Sequence, residues 1–260
     1  MIHTRKKCFA FGLALVSLAL PGPAADQQPV ELFNGKDLTG WVQRGGKAKY
    51  SVEGNAIVGT AVMNTPNSFL CTEKAYADFI LEYDFKVDPR LNSGVQIRSE
   101  CFEYPREFVW RGKTNTIDAG RVHGYQVEID PGYPNGLMWS AGIWDEARRR
   151  DWLYPVPGNK TQATAFTEQG RRIFKTNDWN HLRVAAVGDP LKTWLNGVAC
   201  ADIKDSVTAR GFIGLQVHTI GADADRNGVQ VRWRNLKITE RTPSAIRAPS
   251  GQQNYFCVSF

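Results

Sequence analysis

Charge of one sign, cysteine clusters and long apolar runs are all scarce in this chain of 260 residues. Lys and Arg number 32 against 26 Asp and Glu, for a formal net charge of +6. Three of those charges, Arg5, Lys6 and Lys7, fall within the first 25 residues, which hold no acidic residue, so the remainder carries +3. A surplus that small is no nucleic-acid footprint. The five cysteines form no CxxC pair and no Cys/His spacing of the kind a zinc site uses. The one sustained apolar run, residues 8–20, falls short of the roughly 20 residues a membrane span needs.

That run is read as part of a leader. Arg5, Lys6 and Lys7 make a positive start, residues 8–20 an apolar middle, and residues 21–25 a small-residue end suited to cleavage. Residues 1–25 are therefore expected to be a signal peptide, and the protein to be exported to the periplasm or beyond, with no other membrane association. Cys71, Cys101, Cys200 and Cys257 remain after cleavage, and an oxidising compartment permits disulfides among them. A domain of this size does not require them. Residues 26–240 suit one all-β domain, since sandwiches and barrels often run to 200–250 residues. Residues 241–260, rich in Pro, Ser, Gln and Gly, read as a tail.

What the chain does have is alternation. In the stretch from Tyr125 to Asp130, Tyr125, Val127 and Ile129 point one way while Gln126, Glu128 and Asp130 point the other. Three further stretches repeat the pattern, presenting Glu82 and Asp84, Gln96 and Arg98, and Gln216 and His218 opposite apolar partners. Solvated strand faces usually carry Thr, Ser, Lys and Glu. Gln, Arg, Glu, Asp and His are the side chains that bind or turn over polar substrates, so one sheet face is expected to be a binding floor.

Turn chemistry separates the strands throughout. Asn196-Gly197 is the strongest hairpin signal, because both central positions of a type I′ turn need positive φ. Trp41 reads as a core anchor. Asn92, Ser93 and Gly94 can bring an amide and close-approaching backbone to the floor. Alternation fails over residues 100–120, which read as a long loop able to cover the site. Residues 145–154 concentrate charge and aromatics, either as a second functional loop or as a helical turn with three arginines in solvent. Residues 159–169 read as a polar connection.

Many short strands with scarcely any helix predict a two-sheet jelly-roll β-sandwich. Within it, seven motifs occur in order: residues 32–41 (LFNGKDLTGW), 92–98 (NSGVQIR), 124–129 (GYQVEI), 179–183 (WNHLR), 194–197 (WLNG), 214–218 (GLQVH) and 233–238 (WRNLKI). Together they resemble the 3-keto-disaccharide hydrolase family, also described as 3-keto-2-hydroxyglucal hydratase-like, from about Glu31 to Glu240. The resemblance implies a concanavalin A-like lectin/glucanase fold and an oxidised, 3-keto glycoside or disaccharide as substrate. Many members carry Glu and Gln in the opposite order on the central strand, where this chain has Gln126 and Glu128.

The implied chemistry suits such a floor. A ketone at C3 acidifies the C2 proton; a base removes it, the group at C1 is expelled, and water adds to the resulting 2-hydroxy-3-keto-glucal. The assignment that follows makes Glu128 the base and His218 the acid or second base. Arg98, with Gln96, would hold the enolate. Gln126, Gln216, Glu82, Asp84, Tyr125 and Asn92 would bind substrate or orient the catalytic groups. A divalent metal on Glu128, Asp130 or His218 could serve as electrophile, but no ligand spacing decides it. A laminarinase-like glycosidase would need Glu-x-Asp-x-x-Glu; Glu82 and Asp84 begin that motif and Val87 ends it. A non-catalytic carbohydrate-binding module is the stronger rival, because fold alone does not decide function.

Overall fold

The computed structural model describes residues 28–241. The expected leader, residues 1–25, and all but the first residue of the expected tail, residues 241–260, lie outside the described residues. Seventeen strands, one α-helix and one 3-10 turn (Ala224–Arg226) follow within them: β1 (Val30–Glu31), β2 (Trp41–Gly45), β3 (Lys49–Glu53), β4 (Ala56–Thr60), β5 (Ser68–Tyr76), β6 (Phe79–Val87), β7 (Ser93–Cys101), β8 (Arg106–Trp110), β9 (Lys113–Ile117), β10 (Val122–Ile129), β11 (Ile143–Glu146), β12 (Asp151–Tyr154), α1 (Lys160–Ile173), β13 (Asn180–Ala186), β14 (Pro190–Leu195), β15 (Val198–Lys204), β16 (Gly211–Val217) and β17 (Gln230–Glu240).

Two large antiparallel sheets form a jelly-roll sandwich. One runs β15-β14-β13-β6-β17-β4-β3 with β1 paired to β17; the other runs β12-β11-β10-β7-β16-β5-β2. Alternation explains the core between them. On β6 the buried positions are Phe79, Leu81, Tyr83, Phe85 and Val87, while the residues between them are only partly covered. Tyr125, Val127 and Ile129 of β10 face the same core from the other sheet, beside Val95, Ile97 and Leu215. Trp41 is a core anchor as expected, its indole N–H donating to the Leu32 carbonyl at 3.0 Å. The β14–β15 hairpin turns through Asn196 at φ 51° and Gly197 at φ 84°, the two positive angles a type I′ turn requires.

The two sheets differ in their outer faces. All eight residues of β10 are buried, and so are the first seven of β7. A strand buried on both faces cannot present ordinary solvating residues, so the polar side chains of β10 must find partners within the protein.

Three connections depart from the sequence reading. The excursion over residues 100–120 is a β8–β9 hairpin instead of a structureless loop. Residues 145–154 form neither a loop nor a helical turn: β11 pairs β12, with Ala147 and Arg150 at positive φ in the tight turn between them. The polar connection is the helix α1, capped by Asn159, whose side chain accepts from the Gln162 N–H at 3.1 Å. Only Phe166 and Gly170 of α1 are buried, so the chain lacks the broad apolar stripe that marks a helix.

Candidate functional site

The register of the second sheet assembles a row of polar side chains on its outer face. Gln126 of β10 lies opposite Gln96 of β7 on one side and Trp144 of β11 on the other. Gly94 stands opposite both Glu128 and Gln216. A Cβ at Gly94 would come within 2.6 Å of the Gln126 Cγ. The absence of a side chain there lets Gln126 lie across β7 and meet β16.

The resulting chain of hydrogen bonds is directional. Ser99 Oγ donates to Gln96 Oε1 at 2.7 Å, and Gln96 Nε2 donates to Gln126 Oε1 at 2.7 Å. Gln216 Nε2 donates to that same oxygen at 2.7 Å. With its oxygen doubly occupied, Gln126 must present its amide N–H to Glu128 Oε2, at 2.7 Å. Asn92 Nδ2 donates to the other oxygen, Glu128 Oε1, at 2.6 Å. Glu128 is thus held from both sides, with its side chain almost wholly buried.

Burial dominates its protonation. Removal from water raises the Glu128 carboxyl to about 8, against the opposing pull of the Gln126 and Asn92 donors; Asp130 and Glu146 push it the same way as burial. His218, at the end of β16, is moved in the complementary sense. Burial lowers its pKa below the usual value, outweighing the Thr219 carbonyl and Glu146. Its Nδ1 lies 2.8 Å from the Thr219 carbonyl oxygen, which can only accept, so the neutral ring carries its proton there and leaves Nε2 with a free lone pair.

Asn92, Gln126, Glu128 and His218 line one pocket of about 210 Å³, completed by Trp144, Glu146 and Trp152. Glu146 is secured by Trp144 Nε1 at 3.1 Å, by Asn67 Nδ2 at 3.3 Å and by the guanidinium of Arg121. Trp144 and Trp152 meet edge to face with centroids 5.5 Å apart. Gln96 and Gln216 are fully buried beneath and orient Gln126 without lining the pocket.

The expected floor residues do not all come together. Arg98 is a correction. Its φ of 45° and the register shift between β7 and β16 break the period of two, so it leaves the face that Gln96 occupies. Its guanidinium donates to the carbonyls of Ala77 at 2.7 Å, Gly188 at 2.8 Å and Ala186 at 2.8 Å, and pairs with Asp78 at 2.9 Å. Glu82 and Asp84 are a second correction: they face outward from β6 in the opposite sheet. There Asp84 meets His181 at 2.9 Å and Asn235 at 2.7 Å, and Glu82 lies 3.8 Å from Arg183. Tyr125 is a third, since it points into the core and its hydroxyl reaches Asp205. Asp130 accepts from the Gly132 N–H at 2.7 Å. Among the described residues no group of three His, Cys, Asp or Glu side chains is arranged to hold a metal ion.

Sequence reasoning missed Trp144, Glu146, Trp152 and Arg121. The two-residue spacing of Trp144 and Glu146 was a usable signal, because it repeats the period of Gln126 and Glu128 on the adjacent strand.

The family model described as "3-keto-alpha-glucoside-1,2-lyase-like domain" matches residues 28–239. No curated protein matches the sequence significantly. Among solved structures, a protein of unknown function with a galectin-like fold from Bacillus subtilis is similar at a TM-score of 0.53 and 10% identity, over 82% of this chain and 94% of that one. A putative glycosyl hydrolase from Parabacteroides distasonis is similar at 0.51 and 17% identity, over 82% and 94%. A β-porphyranase from the human gut bacterium Bacteroides plebeius is similar at 0.51 and 12% identity, over 86% and 95%. At such identities the likeness is one of fold.

Proposed function

Because the chain belongs to the family of 3-keto-alpha-glucoside-1,2-lyase-like domains over residues 28–239, we propose that it is an exported enzyme cleaving 3-keto-glycosides by elimination across C1 and C2. The observation that carries this reading is that Glu128 and His218 line one pocket, where burial acts on their protonation in opposite senses. Glu128 is raised to about 8 and His218 is lowered. Near pH 7 the pocket therefore holds a carboxylic acid and a neutral imidazole together, the forms a general acid and a general base need.

The roles are thus exchanged from those first expected. His218 Nε2 removes the proton at C2, which the C3 ketone has acidified. The C1–O bond breaks, and the departing oxygen takes the proton of the Glu128 carboxyl. The sugar is left as an enone, His218 as an imidazolium and Glu128 as a carboxylate. Water then adds at C1, giving its proton to Glu128, while the imidazolium, whose proton exchanges with bulk water once the aglycone has left, returns a solvent proton to C2. Both groups end in their starting forms.

No Lys or Arg side chain lines the pocket; the Arg121 guanidinium, paired with Glu146 on its wall, is the candidate to face a developing enolate in place of Arg98. Trp144 and Trp152 offer ring faces to the apolar side of the sugar. The same aromatic pair would serve a binding module, and that reading remains the rival.

Aglycone release from a glucoside and from its 3-keto counterpart separates the readings. Cleavage of the ketone alone is the expected result. Equal cleavage of both would make the protein an ordinary glycosidase, and saturable binding without cleavage a binding module.

A further inference from the structure

Beside the candidate site lies a larger cleft, of about 510 Å³, and the two share one side chain, Trp152. We propose that this cleft, resting on the reading of the neighbouring pocket as a 3-keto-glycoside site, holds the leaving group, and that it is built for a planar aromatic aglycone.

Continuity is the first argument. Trp152 follows the register of the sheet: it lies opposite Trp144, which lies opposite Gln126. A substrate whose sugar occupies the Glu128 pocket can extend past Trp152 in one direction into the cleft. The opposite wall comes from the β8–β9 hairpin, whose turn residues Arg111 and Gly112 have φ of 49° and 74°. That hairpin is anchored where it is: Asn115 Nδ2 donates to the Arg148 carbonyl at 3.1 Å, and Trp110 stacks 4.6 Å from the Arg149 guanidinium. The excursion between two floor strands thus walls the neighbouring cleft with Trp110.

The chemistry of the lining is the second argument. Its charged groups are largely consumed by one another. Arg149 donates to Asp205 at 2.6 and 2.7 Å and pairs with Asp145, while Arg111 lies 3.8 Å from Asp151. A hydroxyl-rich ligand would have to compete for those partners. Beyond those pairs the cleft offers the Lys204 ammonium, the Trp110 ring stacked between Arg149 and Arg111, and the apolar surface of Trp152, Leu153, Val156, Pro157 and Ile203. Flat apolar surface of that kind suits an aromatic ring better than a second sugar.

The test uses the intact protein with 4-nitrophenol and glucose as free probes, and with aryl and methyl 3-keto-glucosides as substrates. Saturable 4-nitrophenol binding is expected by calorimetry, weakened about tenfold by Trp110→Ala, as loss of an aromatic contact implies. Val156→Trp, which fills the exposed rim without touching the fold's interior, should weaken it as well. Trp110→Ala should raise KM for the aryl 3-keto-glucoside and leave turnover of the methyl 3-keto-glucoside unchanged. No saturable 4-nitrophenol binding, binding indifferent to both substitutions, or preferential binding of glucose in the cleft would each overturn the proposal. The binding arm is independent of turnover. A protein that binds 4-nitrophenol through Trp110 yet cleaves no 3-keto-glycoside leaves the aromatic cleft standing and removes the leaving-group role with the enzymatic reading.

Discussion

At the scale of the residue, two titrations should shape activity. His218 works when its ring is neutral and Glu128 while its carboxyl keeps the proton. Since burial lowers the first and raises the second to about 8, kcat/KM for a 3-keto-glucoside should form a bell. The acidic limb should lie below the ordinary histidine value and the alkaline limb near 8. An activity that rises through pH 9 would reverse the roles and make Glu128 the base. Glu128→Gln and His218→Ala should each cost about 100-fold or more in kcat, the usual worth of a positioned acid or base, with the near- and far-UV circular dichroism unchanged. A loss below threefold in either would remove that residue from the chemistry.

At the scale of the element, β7 is the strand on which the site depends, through one residue that is nearly absent and one that turns away. Gly94→Ala brings a methyl against Gln126 Cγ at 2.6 Å and should displace the amide that holds Glu128. Misplacement of that size costs on the order of 100-fold in rate, although no residue of the pocket has changed. Activity equal to wild type in Gly94→Ala would mean that Gln126 does not orient the acid. Arg98→Met should do the opposite. Breaking a buried pair and its three carbonyl bonds should lower unfolding stability by roughly 3 kcal/mol in a denaturant titration, while kcat at a permissive temperature stays within a few-fold. A large loss of kcat with stability intact would return Arg98 to the site.

The same strand shows what could be read in advance. Alternation located Gln96, Gln126, Glu128, Gln216 and His218, because a side-chain period of two holds wherever pairing is regular. It failed at Arg98, where a bulge carries one residue across the sheet and no local residue type announces it. Glu82 and Asp84 failed differently. Their alternation is correct, but a periodic pattern does not say which of two sheets a strand joins; pairing of β6 with β13 and β17 decides that. The helix α1 escaped because its packing rests on Phe166 and a glycine, too little for an apolar stripe.

At the scale of the whole molecule, the sandwich tolerates a buried acid whose proton it prefers to keep. The folded pKa of Glu128, about 8, stands above the ordinary carboxylate value of 4.5. The stability this contributes is fully present below 4.5, declines as pH rises, and is lost once the carboxyl ionises above about 8. Glu128→Gln should therefore gain on wild type in Tm from pH 5 to pH 9, by up to a few kcal/mol in stability. A constant difference across that range would mean that Glu128 is ionised throughout. The two-sheet architecture was legible in the strand count and turns, since each sheet needs an apolar face and short antiparallel connections. The neighbourhood of β10 with β11 and β12 was not, because Trp144 and Trp152 enter the pocket through long-range pairing that no window of sequence contains.

The claim on which these scales converge is that the bond to hydrogen at C2 breaks when the glycoside is cleaved. A 3-keto-glucoside carrying deuterium at C2 tests it, with aglycone release and the isotopic content of the sugar followed together. The account predicts that deuterium leaves the sugar in step with aglycone release, and that His218→Ala abolishes both. Aglycone released by the wild-type protein from a sugar that keeps its deuterium would contradict it.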